Sequence, residues 1–178
     1  MEKKRNNQRN LKCSVCGELH SDWPALAFEF PSAYNELSED EKQNLATIDS
    51  DFCTIKYADQ TDRFIRVVLF QEILESKEYL NYGLWVSLSE ESYTNYRENF
   101  NNRDHEVQYF GWLNSKVSEY QSTLNIPTTV YTRKGNDRPE IVLHEDFDHD
   151  FVRDYYKGIS NDEAEKRIHE MMKTLGNM

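Results

Sequence analysis

Two cysteines and a histidine lie close together near the start of the chain, in the run Cys13-Ser14-Val15-Cys16-Gly17-Glu18-Leu19-His20. The third and last cysteine is Cys53. A structural zinc ion takes four tetrahedral ligands, and a C-x-x-C-G turn closed by a later cysteine and a nearby histidine can supply them. We therefore predict a structural zinc knuckle at residues 13–20, closed by Cys53. The predicted ligands are Cys13, Cys16, His20 and Cys53.

Two other interpretations of these cysteines stay open. A redox C-x-x-C usually lies at a helix N-terminus after a strand, where the helix dipole lowers the thiol pKa. Here a polar tail precedes the pair and Gly17 follows it, which disfavours that role. The thiols could also be unliganded core or surface residues, and His20 could be a surface imidazole rather than a ligand.

The charge of the chain is unevenly distributed. Its 21 basic and 32 acidic residues give a net charge of −11. The first twelve residues contain five basic residues and one acidic residue, so they carry +4 and the remainder carries −15. A field of this sign repels nucleic-acid backbones and favours a basic protein partner. We expect no nucleic-acid binding.

Length and composition indicate one domain. We expect residues 1–12 to be a disordered basic tail and residues 13–178 to be a single domain, because 178 residues that are 38% hydrophobic can bury one core. No apolar run approaches the roughly 20 residues that span a bilayer, and no signal-peptide pattern is present. We therefore expect a cytoplasmic protein that makes no membrane contact, in which three cysteines favour metal ligands or free thiols over disulfides.

Strand candidates share β-branched and aromatic side chains. They are residues 52–55, 64–70, 84–88, 128–133 and 140–144. Polar turns at 59–62 and 134–137 connect two pairs of these segments, which predicts two antiparallel hairpins. Gly111, between Phe110 and Trp112, indicates a close backbone approach or a bulge.

Capping residues predict where helices begin. Ser38 with Glu41, and Ser160 with Glu163, match the S-x-x-E capping box. A helix capped by Ser87 or Ser89 has one aromatic face, and another ends at Gly158. The apolar stripe of the last helix comprises Ala164, Ile168, Met171, Met172 and Leu175. Together these elements predict an α+β fold, with an antiparallel sheet and about four helices.

Two polar groups are further candidates for a site. The acidic turn, residues 144–150, holds two imidazoles and four carboxylates, the composition of a metal or general acid–base site. Asp148 is also a natural N-cap, and acidic residues gather at helix starts because of the dipole, so we favour a structural role. Arg66 and Arg138 lie in apolar strand contexts, where we favour ion pairing over anion binding.

Five runs along the chain together resemble a bacterial family. They are Cys13-Ser14-Val15-Cys16-Gly17 with His20, Phe64-Ile65-Arg66, Gly83-Leu84-Trp85-Val86-Ser87-Leu88-Ser89-Glu90-Glu91, Phe110-Gly111-Trp112-Leu113, and Arg138-Pro139-Glu140-Ile141 with Leu143. These runs, and their order along the chain, resemble the motifs of the bacterial family called domain of unknown function 2199. The resemblance implies that Cys53 groups with the knuckle, whereas Asp150 stands where the family commonly has proline. The family has no assigned activity, so the resemblance implies the general layout of the chain but no catalytic residues.

Two hypotheses of function remain. No P-loop, dinucleotide-binding, zincin or hydrolase-elbow motif occurs in the sequence. The favoured hypothesis is a zinc-stabilised acidic binding module for a basic protein partner, as an immunity protein meeting a cationic toxin would be. The alternative is a metal-dependent enzyme with its site near His144, Asp148 and His149.

Overall fold

The computed structural model describes residues 11–12, 19–20 and 23–176, without the side chains of residues 11–12, 19–20, 136 and 174–176. Its strands are β1 (Leu11–Lys12), β2 (Leu19–His20), β3 (Leu26–Ala27), β4 (Ala46–Ile48), β5 (Phe52–Lys56), β6 (Thr61–Ile73), β7 (Glu78–Leu88), β8 (Gln108–Leu113), β9 (Pro127–Tyr131) and β10 (Glu140–Leu143). Its helices are α1 (Ser32–Asn35), α2 (Glu39–Leu45), α3 (Glu90–Glu98), α4 (Asp150–Lys157) and α5 (Asn161–Gly176).

Five strands, β6 to β10, close into a barrel. Each strand pairs antiparallel with the next along the chain, and β10 then pairs with β6 in parallel, with Glu140 opposite Val68. The closing pair is parallel because a chain that reverses at every strand returns to its first direction at the fifth. Strands β3, β4 and β5 extend the sheet beyond the barrel.

The predicted α+β fold, an antiparallel sheet with about four helices, was therefore wrong. The protein is a strand-rich closed barrel with three extending strands and five helices in its described part. The two predicted hairpins are present as β5–β6 and β9–β10. Hairpin signals report strands that are neighbours along the chain, whereas the barrel closes between segments far apart in sequence, for which no local signal exists.

The zinc knuckle predicted as part of the fold is likewise not found among the described residues. Strands β1 and β2 pair antiparallel on either side of residues 13–18. Leu11–Lys12, which we assigned to the basic tail, thus form a strand. Within the part of the chain that the structure describes, no group of three or more His, Cys, Asp or Glu side chains could hold a metal ion.

Alternate residues of the barrel strands fill its interior. On β6 these include Ile65, Val67 and Leu69, and on β7 they include Leu84 and Val86, all fully buried. The period of two follows from the pleat of a strand, and each such side chain contributes roughly 1.5–3 kcal/mol by leaving water. A second apolar cluster lies on the opposite side of the sheet. Its buried members are Cys53, Ile55, Phe64 and Trp85.

The predicted caps of α2 and α3 are confirmed, and the predicted capping box of α5 is incomplete. Ser38 and Glu41 form a complete capping box, and Ser89 rather than Ser87 caps α3. Ser160 accepts from the Glu163 amide at 3.2 Å, but the Glu163 carboxylate binds Arg167 instead of closing the box. No helix in the described ranges is long and apolar enough to cross a membrane.

Two helices pack their predicted faces against the core. Tyr93 and Tyr96 of α3, with Phe100 just beyond the end of the helix, surround Phe52 with ring centroids 5.0–5.8 Å from it. On α5, Ala164 and Ile168 are buried, and Met171 and Met172 contact the same core. The side chain of Leu175 lies outside the described residues.

Candidate functional site

The outward residues of β8, β9 and β10 form a small surface on the barrel wall. The strand register places Thr129 between Phe110 on β8 and Val142 on β10, and it places Trp112 beside Pro127. His144 follows β10, and its Nε2 lies 3.0 Å from Oγ1 of Thr129. We call this surface the aromatic face and define it by Phe110, Trp112, Tyr131 and His144.

Alternation along β8 explains why aromatic rings point outward here. Tyr109 and Leu113 are buried in the barrel, so the residues between them, Phe110 and Trp112, must point to the other side of the strand. Gly111 also lies on the inner side, where a Cβ would meet the Ser87 carbonyl oxygen at 3.1 Å. The predicted close backbone approach is therefore confirmed, within a regular strand.

Phe110 contacts two other rings of the aromatic face, and the face remains open to solvent. Phe110 and Trp112 meet edge to face with centroids 4.9 Å apart, and Phe110 lies 5.6 Å from the His144 ring. Phe110 is 49% exposed and Trp112 is 44% exposed. Contiguous exposed apolar surface of this kind marks interaction sites in soluble proteins.

Two carboxylates border the aromatic face. Glu145 and Asp146 are exposed, and neither forms an ion pair with a described residue. Tyr156 on α4 donates to the Leu143 carbonyl oxygen at 2.5 Å, which ties the helix to β10. The pKa of Tyr156 is raised, first by burial and then by Glu145, Tyr131 and Asp146, so these groups lie within electrostatic range of one another.

Within the acidic turn, His149 is the N-cap of α4. Its Nδ1 accepts from the Phe151 amide at 3.0 Å, and its Nε2 donates to the Gln121 carbonyl oxygen at 2.7 Å. One ring nitrogen must accept while the other donates, which requires a neutral imidazole with its proton on Nε2. We predicted Asp148 as this N-cap, and the structure gives the role to His149 instead.

In the rest of the acidic turn, Asp148 and Asp150 share one partner and His144 has another. Asp148 accepts from Arg153 at 2.5 Å, and Asp150 binds the same guanidinium. His144 binds Thr129 on the aromatic face. The imidazoles and carboxylates that looked like one cluster in sequence thus point in different directions.

Cys53, a predicted zinc ligand, lies on β5 with its side chain fully buried. Its neighbours in the second apolar cluster include Ile55, Phe64 and Trp85. Burial raises the pKa of the Cys53 thiol to about 12, and the nearby Asp49 adds to the rise. A thiol in this environment is protonated at neutral pH and behaves as a small apolar side chain.

The other three predicted ligands cannot be placed beside it. Cys13 and Cys16 lie outside the described residues, and of His20 the structure describes only the backbone, paired with Leu11. The four-ligand zinc site therefore stays a prediction. Elemental analysis of protein purified without chelators tests it, with about one zinc per chain expected.

A buried arginine that sequence reasoning missed anchors α5 to the barrel. Arg167 is 1% exposed, and each of its five N–H groups has an acceptor. The acceptors are Glu163 at 2.9 Å, Gln71 at 2.9 Å, Tyr82 at 2.9 Å, Tyr120 at 2.5 Å and Asp154 at 3.4 Å. The signal lay in its spacing, since Arg167 falls on the apolar stripe between Ala164 and Met171.

A cleft of about 450 Å³ opens beside this arginine, between β3, residues 116–119 and α5. Tyr82 and Arg167 line it together with other polar residues, among them Glu29, Lys116 and Glu119. Burial is the main cause that raises the pKa of Tyr82 to about 12, so its hydroxyl is no base at neutral pH. The Arg167 donors are already used, whereas the Glu29 and Glu119 carboxylates that also line the cleft form no ion pair with a described residue.

Comparison with known proteins gives a family and no activity. No curated protein matches the chain, and no solved structure does. One family model matches residues 12–159, a range that holds the whole barrel and α4 but not α5. The chain therefore belongs to the family described as "Uncharacterized protein conserved in bacteria (DUF2199)".

Proposed function

We propose that this chain is a non-catalytic binding protein that docks a basic protein partner on the aromatic face. The observation that carries the proposal is the exposed edge-to-face pair of Phe110 and Trp112, bordered by Glu145 and Asp146. The centres of protein interfaces are enriched in aromatic side chains, and a few such anchors supply most of the binding free energy.

The charge of the protein supports a basic partner. Residues 13–178 carry −15, and Glu145 and Asp146 have no ion pair with described residues that a partner would have to break. A negative rim around an apolar centre speeds the approach of a cationic protein and selects against acidic ones. An immunity protein that neutralises a cationic toxin would have this combination of features.

The alternative, a metal-dependent enzyme at the acidic turn, has less support. Such a site needs side chains that converge on one point, whereas His144, Asp148 and His149 each bind a separate protein group. The His149 ring is held at both nitrogens, so proton transfer through it would break the start of α4.

Site-specific crosslinking in the native bacterium tests the proposal. A photo-crosslinking amino acid at position 112 should capture a basic protein, and the same group at position 57 should not. Tyr57 is a matched control because it is also exposed, at 36%, and also lies near carboxylates, but it is in the β5–β6 connection.

The captured partner is then purified and its affinity is measured. Trp112→Ala should raise the Kd at least about tenfold, a loss of about 1.4 kcal/mol, because central aromatic anchors dominate interface energetics. Added salt should raise the Kd further, and Tyr57→Ala should leave it unchanged. An acidic partner, or equal Kd values for Trp112→Ala and Tyr57→Ala, would contradict the proposal.

A further inference from the structure

One edge of β6 changes its pairing partner in the middle of the strand. Residues 61–65 pair with β5, and Val68 pairs with β10. At the change, the Arg66 amide donates to the Asp51 carbonyl oxygen, and the Val68 amide donates to that of Pro139. Arg138 closes the gap between the two partners, because its Nε donates to the Asp51 carboxylate at 2.7 Å.

The side chain of Arg66 points out of the barrel at this place. Its guanidinium lies over β7, with Cζ 5.7 Å from the Trp85 ring centroid. A Cβ at Gly83 would stand 3.7 Å from Nη2 of Arg66, an ordinary contact distance, so the guanidinium lies beside Gly83.

Arg66 lacks the partner that we predicted from the sequence. Arg138 pairs with Asp51, as expected, but Arg66 forms no ion pair and no side-chain hydrogen bond with any described residue. Its Nε is buried without a partner. An unpaired buried donor is costly, and arginine is usually retained in partly buried positions where it binds a planar oxyanion.

Charges of both signs lie within electrostatic range of Arg66. Burial and the neighbouring Arg138 lower the pKa of Arg66, whereas Asp51 and Glu29 oppose that change. The Asp51 carboxylate pairs with Arg138, and neither Asp51 nor Glu29 forms an ion pair with Arg66. The Arg66 guanidinium thus keeps donors that an anion in direct contact could use.

We propose that Arg66 forms a binding site for an oxyanion, the phosphate or carboxylate group of a ligand, where β6 changes partners. The guanidinium of Arg66 supplies the free donors. Arginine forks match both groups by paired hydrogen bonds, so the two share one recognition chemistry. The site uses no residue of the aromatic face and stands independently of the proposed function.

Thermal unfolding in defined anions tests the site. Inorganic phosphate, acetate and chloride are compared at equal ionic strength, with wild type, Arg66→Gln and Arg133→Gln. Arg133 is the matched control, since it is also partly exposed but already pairs with Asp137 and Glu140. Phosphate or acetate should raise the Tm of wild type and of Arg133→Gln saturably, by about 3 °C or more over chloride. Arg66→Gln should lose that rise.

The two anions distinguish the ligand sources, because a larger rise with phosphate indicates a phosphoryl ligand and a larger rise with acetate a carboxylate ligand. In chloride alone, Arg66→Gln should be at least as stable as wild type, since it removes an unpaired charge. The proposal is overturned if neither anion raises the Tm above chloride, if Arg66→Gln retains the rise, or if Arg66→Gln is destabilised in chloride.

Discussion

The guanidinium of Arg167 donates to the hydroxyl of Tyr82 over 2.9 Å inside the barrel, although 85 positions separate the two residues in the chain. The same guanidinium also binds Gln71, so its removal leaves the buried Tyr82 hydroxyl and Gln71 side-chain oxygen with only the hydrogen bond between them. We expect Arg167→Met to lower the free energy of unfolding by about 3 kcal/mol in urea melts.

Arg153 is the control for this prediction. It also binds two carboxylates, Asp148 and Asp150, but at the surface. Because water screens exposed ion pairs, Arg153→Met should leave the urea midpoint nearly unchanged. Equal losses in the two variants would show that the Arg167 network is not what holds α5.

Gly111 and Gly83 both lie in barrel strands but differ in the space around them. A Cβ at Gly111 would meet the Ser87 carbonyl oxygen at 3.1 Å and Thr128 Oγ1 at 3.3 Å, whereas a Cβ at Gly83 meets nothing closer than 3.7 Å. Gly111→Ala should therefore cost about 1–3 kcal/mol of unfolding free energy, and Gly83→Ala should cost little. Urea melts of both variants check this, and a tolerated Gly111→Ala would argue against the close approach of β8 to β7.

The histidine cap of α4 gives a third prediction. His149→Ala removes the acceptor for the Phe151 amide and should cost about 1 kcal/mol of unfolding free energy. His149→Asn should lose less, because an asparagine side chain at the N-cap can also accept that hydrogen bond. If both variants lose the same free energy of unfolding in urea melts, His149 does not stabilise α4 as its N-cap.

Titration of Tyr155 should lower the free energy of unfolding at alkaline pH. Burial, more than any neighbouring charge, raises its pKa to about 12, whereas in the unfolded chain a tyrosine titrates near about 10. Between these two values the unfolded chain releases a proton that the folded protein keeps, so stability is lost as the pH rises.

Tyr155→Phe removes this titration and tests the assignment. Urea melts at pH 8 and at pH 11 should show a smaller fall in unfolding free energy for Tyr155→Phe than for wild type. Parallel falls in the two proteins would mean that the Tyr155 hydroxyl is not buried in the folded state.

Features that depend on a few neighbouring residues were predictable from the sequence. Ser38 and Ser89 cap helices as predicted, because a cap is a contact with an amide three residues along the chain. The β5–β6 and β9–β10 hairpins follow from turn chemistry between adjacent strands. The family resemblance rested on short motifs of the same kind, and it was confirmed.

The candidate site was only partly predictable. Alternation in Tyr109–Leu113 shows that Phe110 and Trp112 share a side of β8, but sequence does not say which side faces solvent. The acidic turn looked like one site because its polar residues are close in sequence. In the structure, however, the His144 side chain binds Thr129 and the His149 side chain binds Gln121.

By itself, then, the sequence determined the Ser38 and Ser89 caps, the two hairpins and the aromatic side of α3 formed by Tyr93 and Tyr96. Only the tertiary structure decided that β10 closes on β6, that Arg167 enters the barrel to meet Gln71 and Tyr82, and that Arg66 has no side-chain hydrogen bond among the described residues. The reason is physical: caps and turns are set by bonds within a few residues. Barrel closure and the burial of a charge depend on where distant segments meet, and that is settled by packing the whole core at once.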